Sequence, residues 1–205
     1  MKKVITIISG LAMMAGIGNY SNAQVFQKGT KVLNLGIGFL GTYRYGWGLG
    51  HSYSSTPYLN AAFDVGIYDF PDVKNLSIGV GAYLGWKNYS YSYYSTWRDK
   101  KGNWHYDDYI KETWTYTTFG IRPTIHYSFE GTKAQVYGGL PLGFVVVNHK
   151  VNRPDYVYYV NESVSSYPTL GLILGGRYYF SNSFGVYGEL GYGLSYLNLG
   201  ISLKF

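Results

Sequence analysis

Five ionisable side chains interrupt alternating, largely apolar stretches of this sequence and could do chemistry together: Asp64, Lys87, Arg122, Arg177 and Glu189. All five, and Lys204 with them, fall on the polar parity of their stretch, opposite rows of Val, Ile, Leu and Phe. Charges that share one hidden face of a sheet have to pair, because an isolated buried ion is too costly. The spacing therefore predicts an internal charge network in which Glu189 pairs with Arg177 or Arg122. Two roles are open to it. It could fill and tie together a narrow interior, or line a selective path for small solutes.

The other reactive groups converge less. His51, His105, His126 and His149 lack ligand spacing, and His105 beside Asp107 and Asp108 reads as a solvated loop. His126 shares the parity of Arg122 and reads as an interior hydrogen-bond partner. Residues 36–41, GIGFLG, fit the dinucleotide string G-x-G-x-x-G, but that motif needs a helix after it and TYRYGWGLG cannot start one. Loop serines, His51, His149, Asp107 and Asp155 could in principle supply a nucleophile and a base, yet no compact motif joins them. No catalytic residue, metal or cofactor is expected. A second set is aromatic. Residues 88–109 include Tyr91, Tyr93, Trp97, Trp104 and Tyr106, and Tyr and Trp dominate binding hot spots. These five form a candidate surface for a glycan, lipopolysaccharide or protein. The alternating tyrosines at 89, 91 and 93 also predict a protruding hairpin.

Period-two alternation recurs in eight segments, which is a strand signal. Apolar rows run through Leu33–Phe39, Leu59–Ile67, Leu76–Trp86 and Phe119–Phe129, then Val136–Val146, Leu170–Phe180, Val186–Tyr192 and Leu197–Phe205. Glu130-Gly131-Thr132 and Ser181-Asn182-Ser183 read as tight turns. Longer loops are expected on the opposite side, over 41–55, 88–109 and 148–166.

Composition agrees with an all-β chain. Aromatic residues make up 20%, and 28 glycines disfavour long helices. Charged residues make up 14%, against roughly 25% in average globular chains. Basic residues are scattered, and two of them are Lys2 and Lys3, so no nucleic-acid stripe forms. Residues 1–23 have a basic start, an apolar run and Ser21-Asn22-Ala23 before Gln24, the pattern of a cleavable signal peptide. The expected organisation is a leader over 1–23 and a barrel domain over 24–205. No cysteine is present to form a disulfide.

Alternation alone fits a soluble barrel as well as a membrane one. The second face decides: a water-facing surface should be rich in Lys and Glu, but here it is mostly Gly, Ser, Thr, Asn and Tyr. Such a face suits a crowded interior, leaving the aliphatic face to lipid. A lipid-facing Arg or Lys costs roughly 2–4 kcal/mol at the midplane, and the strand charges avoid that face. The expected fold is an eight-stranded antiparallel up-and-down transmembrane β-barrel.

Residues 175–193, GGRYYFSNSFGVYGELGYG, followed by YLNLGISLKF, resemble the small, porin-like outer-membrane β-barrel family of Gram-negative bacteria. The resemblance implies insertion in the outer membrane among lipid and lipopolysaccharide. It also implies that Leu197, Leu199, Ile201, Leu203 and Phe205 form the signal read by the barrel-assembly machinery. A structural or surface-interaction role through aromatic outer loops follows, without catalysis. A narrow solute channel and a lipid-modifying enzyme are the alternatives.

Overall fold

The computed structural model describes residues 25–39, 52–98, 101–102, 104–152, 160–192 and 195–205. The predicted leader, residues 1–23, lies outside them. Eight antiparallel strands form the wall: β1 (Lys31–Phe39), β2 (Ser52–Ser55 and Tyr58–Asp69), β3 (Leu76–Arg98) and β4 (Trp104–Ser128). They continue as β5 (Ala134–Gly139 and Leu142–Asn152), β6 (Val160–Leu170 and Leu172–Tyr179), β7 (Phe184–Tyr192) and β8 (Leu197–Lys204). Each pairs with its sequence neighbour, and β8 returns to β1 from Leu197 opposite Phe39 to Lys204 opposite Val32. Backbone bonds in both directions between Lys31 and Phe205 extend that seam. The barrel is closed, so every strand at lipid depth has two partners and no edge is bared to the bilayer.

The side chains sort as a membrane requires. Leu59, Phe63, Leu84, Trp86, Phe119, Ile121, Phe144 and Leu190 are exposed on the outside, while Asp64, Arg122, Arg177 and Glu189 are buried inside. An apolar belt around a polar, charge-bearing interior is the inverse of a soluble barrel. Small residues let the interior close: a Cβ on Gly85 would fall 1.7 Å from the Tyr58 hydroxyl oxygen, so that tyrosine fits only over a glycine.

The wall is uneven in height. Spanning a bilayer takes roughly 9–11 residues of tilted strand. β1, β7 and β8 have 9, 9 and 8 residues, whereas β3 and β4 have 23 and 25. The expected loop over 88–109 is therefore mostly strand, as the alternating tyrosines predicted. The expected loop over 148–166 is largely strand too, a correction to the sequence reading. Leu142–Asn152 pairs with Val160–Leu170 along its whole length. The valines of 148–166, Val151, Val157, Val160 and Val164, do not recur at every second position, which is why alternation did not reveal it.

Above the belt the alternation changes polarity. On β3 and β4 the outer row becomes Asn88, Ser90, Thr113, Thr115 and Thr117, while the inner row becomes Tyr89, Tyr91, Trp114 and Tyr116. Hydroxyls and amides now face outward and bond one another, as Asn88 Nδ2 to Thr115 Oγ1 at 3.1 Å. The inversion between Trp86 and Asn88 marks where lipid gives way to water.

Candidate functional site

Two places gather chemistry: the lumen and the inner face of the tall strands. In the lumen, Asp64 of β2 receives Arg122 Nε at 2.8 Å and Arg122 Nη2 at 3.0 Å, a bidentate pair from β4. Its Oδ2 also accepts from Arg177 of β6. Glu189 of β7 accepts from Arg122 Nη2 at 3.0 Å and from the Tyr137 hydroxyl at 2.8 Å. The Arg177 guanidinium lies 4.1 Å from the Tyr137 ring centroid, a cation–π contact. Two cations and two anions, all buried, thus compensate one another across the barrel. Of the predicted partners for Glu189 the structure pairs it with Arg122, while Arg177 turns to Asp64.

Lys87 does not join them. It shares their parity, but it stands above the quartet, opposite Tyr116 at the outer mouth, and among the described residues no carboxylate pairs with it. Parity assigns a face, not a height.

Below the quartet the lumen is closed by a residue that no strand pattern could indicate. Phe26 precedes β1 and is 0% exposed. Its ring stacks on His126 with centroids 3.8 Å apart. Its N–H donates to Ser128 Oγ at 3.2 Å, and its carbonyl accepts from Ser77 Oγ at 3.1 Å. The chain entering β1 therefore folds back into the mouth as a stopper. Phe26 and the ion quartet thus occupy two levels of the interior, and a small cavity remains beside Arg122, Glu189 and Tyr58.

The second site lies on the inner face of the tall strands. Tyr89, Tyr116, Val145 and Val147 form a buried cluster with Tyr91 and Trp114 packed against it. Trp114 stacks on His149 at 4.6 Å and 5°. His149 Nε2 lies 3.0 Å from Glu112 Oε2, and the Tyr93 hydroxyl donates to Glu112 Oε1 at 3.1 Å. Of the predicted aromatic surface, Tyr91 and Tyr93 sit here half-buried, with their rings 5.4 Å apart. The backbones of Trp97, Trp104 and Tyr106 belong to the same hairpin, Thr96 facing Tyr106 and Arg98 facing Trp104. Their side chains lie outside the described residues. Trp114, Glu112 and His149 were missed as a group. Their common inner parity, across a β4–β5 register that puts Trp114 opposite His149, was the signal available.

The row Leu197, Leu199, Ile201, Leu203 and Phe205 lies on the lipid side of β8, alternating with Asn198, Gly200, Ser202 and Lys204 toward the lumen.

No family model and no curated protein matches the chain. Solved structures do. Ail, the attachment invasion locus protein of Yersinia pestis, in complex with the heparin analogue sucrose octasulfate, matches with TM-score 0.50 and 14% identity, covering 87% of this chain and all of that one. Ail alone gives 0.49 and 13% identity, over the same 87% and 100%. The N-terminal β-barrel domain of OprF from Pseudomonas aeruginosa gives 0.40 and 14%, over 87% of this chain and 98% of that one. The likeness to Ail is one of fold, a closed eight-stranded antiparallel barrel, and the apolar belt marks the barrel as one that sits in a membrane.

Proposed function

We propose that the barrel is an anchor for an extracellular binding surface, the aromatic inner face of the tall strands, whose ligand is a glycan. The observation that carries this reading is the contrast between a lumen obstructed at two levels and a wall that rises far above the bilayer on one side only. Strand built beyond the roughly 9–11 residues needed to span lipid has to do its work in water. Tyr91, Tyr93 and Trp114 supply rings, and Glu112 and His149 supply polar groups beside them, the pairing that suits a sugar with one apolar and one hydroxylated face. The heparin analogue bound by Ail, which shares the fold, supports a glycan over a protein as ligand. Solute passage is disfavoured by Phe26 and the ion quartet, which occupy the cross-section. A lipid-modifying role is disfavoured because, among the described residues, no hydroxyl is bonded to His149.

The test is binding of the refolded barrel to an array of neutral and sulfated oligosaccharides. Replacing Tyr91 and Trp114 together by Ala should weaken binding by about tenfold or more, since stacked aromatics are typical hot spots. Equal binding by that variant would sink the reading. The row Leu197 to Phe205 we assign to recognition by the assembly machinery. Phe205→Ala should lower the membrane-inserted fraction without moving the urea midpoint of protein that has inserted.

A further inference from the structure

The cavity left above the ion quartet measures about 20 Å³. Arg122 and Glu189 lie at its lower end, and Tyr192 and Ser195 line it where β7 ends and β8 begins. Three polar side chains along it keep bonding capacity that the protein does not use. The Tyr83 hydroxyl is buried and finds no partner. Asn198 accepts from Asn60 Nδ2 through its Oδ1 at 3.1 Å, and among the described residues its own Nδ2 bonds nothing. Both bonds to Glu189, from Arg122 and from Tyr137, fall on Oε1, so Oε2 remains an acceptor. The neighbouring groups are engaged. Tyr58 shares a hydrogen bond with Thr118 at 2.5 Å, Asn60 Oδ1 accepts from Tyr187 at 2.8 Å, and Ser195 Oγ donates to the Phe39 carbonyl at 2.8 Å.

Size and charge narrow what fits there. One water needs roughly 10–15 Å³ of such space, so the cavity admits one or two heavy atoms and no sugar ring. An ammonium would meet Arg122, and a carboxylate or sulfate would meet Glu189, each a repulsion that burial strengthens. What remains is a neutral group that both donates and accepts, as a hydroxyl does. Ala62, Pro141 and Ile173 also line the cavity and offer a methylene an apolar contact.

We propose that this cavity is a subsite for the hydroxymethyl group of a neutral hexose. The hydroxyl donates to Glu189 Oε2 and accepts from Tyr83 or Asn198, while the ring stays outside by Tyr192 and Ser195. The subsite adjoins the aromatic face: Thr118, bonded to Tyr58 of the cavity wall, stands opposite Val145, a member of the cluster on which Tyr91 and Trp114 pack. The hexose is therefore assigned as the end residue of the bound glycan. That source rests on the glycan reading, whereas the subsite rests on the lumen residues alone.

Methyl β-glucoside and methyl β-xyloside differ only in the hydroxymethyl group, so they test the subsite directly. Each is titrated into the full refolded barrel in phosphocholine micelles, since a maltoside detergent would itself supply the group. The amide resonances of Ala62, Ile173 and Asn198 report occupancy. The glucoside should shift them saturably in the millimolar range, and the xyloside should bind about fivefold more weakly or worse, because a site built for a hydroxyl rejects the analogue without one. The methyl glucuronide should fall with the xyloside. Tyr83→Phe should weaken the glucoside about threefold or more and leave the xyloside alone, with a urea midpoint unmoved or raised because the lost hydroxyl had no partner. Equal affinity for the two glycosides, or no saturable response to the glucoside, would mean that the cavity holds water only and would overturn the proposal. Replacing Tyr91 and Trp114 together by Ala should abolish oligosaccharide binding and spare the glucoside response. A glucoside response in a wild-type barrel that binds no oligosaccharide would overturn the glycan reading and assign the subsite to a free sugar.

Discussion

The short side of the barrel (β1, β7 and β8) and the tall side (β3 to β6) are built from one alternating pattern used to different ends. On the short side nearly every residue is committed to crossing lipid, and its 8 or 9 residues per strand leave nothing to spare. On the tall side β3 crosses the bilayer by Trp86 and then runs on to Arg98 with its polarity reversed. Within the bilayer, sequence is constrained by lipid outside and by crowding inside. Above it both constraints lapse, and aromatics turn inward while hydroxyls turn out. The difference separates what holds the protein in place from what it offers to the medium. It also predicts that substitutions in the lumen act on the whole barrel, whereas substitutions above the mouth act locally.

The largest effect is expected at Asp64, which holds two tall-side arginines at once. Asp64→Ala leaves both Arg122 and Arg177 without their shared carboxylate, so the loss should reach or exceed about 5 kcal/mol, the upper end for breaking a buried ion pair. Glu189→Ala should cost less, about 3 kcal/mol, because Arg122 keeps its bidentate bond to Asp64. Urea midpoints of the refolded variants measure both. A reversed order, or an unchanged midpoint for Asp64→Ala, would show that Asp64 is not the centre of the quartet.

A smaller but still global effect is expected on the short side at Gly36. A Cβ there would lie 2.0 Å from the Tyr187 hydroxyl oxygen and 2.9 Å from the Leu199 carbonyl oxygen. Tyr187 would have to give up its 2.8 Å bond to Asn60 Oδ1. Overpacking of this kind costs about 1–3 kcal/mol, read again as a urea midpoint. In a Tyr187→Phe background, where the clashing oxygen is gone, Gly36→Ala should cost measurably less. Equal costs in the two backgrounds would mean that the crowding lies elsewhere.

How far the sequence reaches follows the same division. The strands and the closing seam were legible because lipid forces a strict row of aliphatics, as at Leu76–Trp86 and Leu197–Phe205. Face was legible for Asp64, Arg122, Arg177 and Glu189, because a charge at lipid depth has only one direction to point. Height was not, and Lys87 was grouped with residues that lie below it. Phe26 was hidden because it belongs to no strand, and a single apolar residue before β1 has no periodicity. Trp114, Glu112 and His149 were hidden for another reason. Above the bilayer neither face must be apolar, so their alternation resembles an ordinary polar loop until the register of β4 and β5 brings them together.

The smallest effect sharpens the comparison most. Glu112 and His149 are partly exposed, with side-chain accessibilities of 21% and 30%, so water and salt screen their interaction. Glu112→Gln keeps a hydrogen-bonding side chain for Tyr93 and His149 and removes only the charge. The cost should not exceed about 1 kcal/mol, and it should stay local. Amide exchange should quicken modestly over residues 110–114 of β4 and 147–151 of β5, with the urea midpoint of the barrel unmoved, because those amides open without the lumen. A global shift of the midpoint by Glu112→Gln would instead mean that the tall wall and the spanning barrel unfold as one unit. The upper strands would then be part of the anchor rather than a surface carried by it, since local opening is what lets a binding face adjust while its support stays closed.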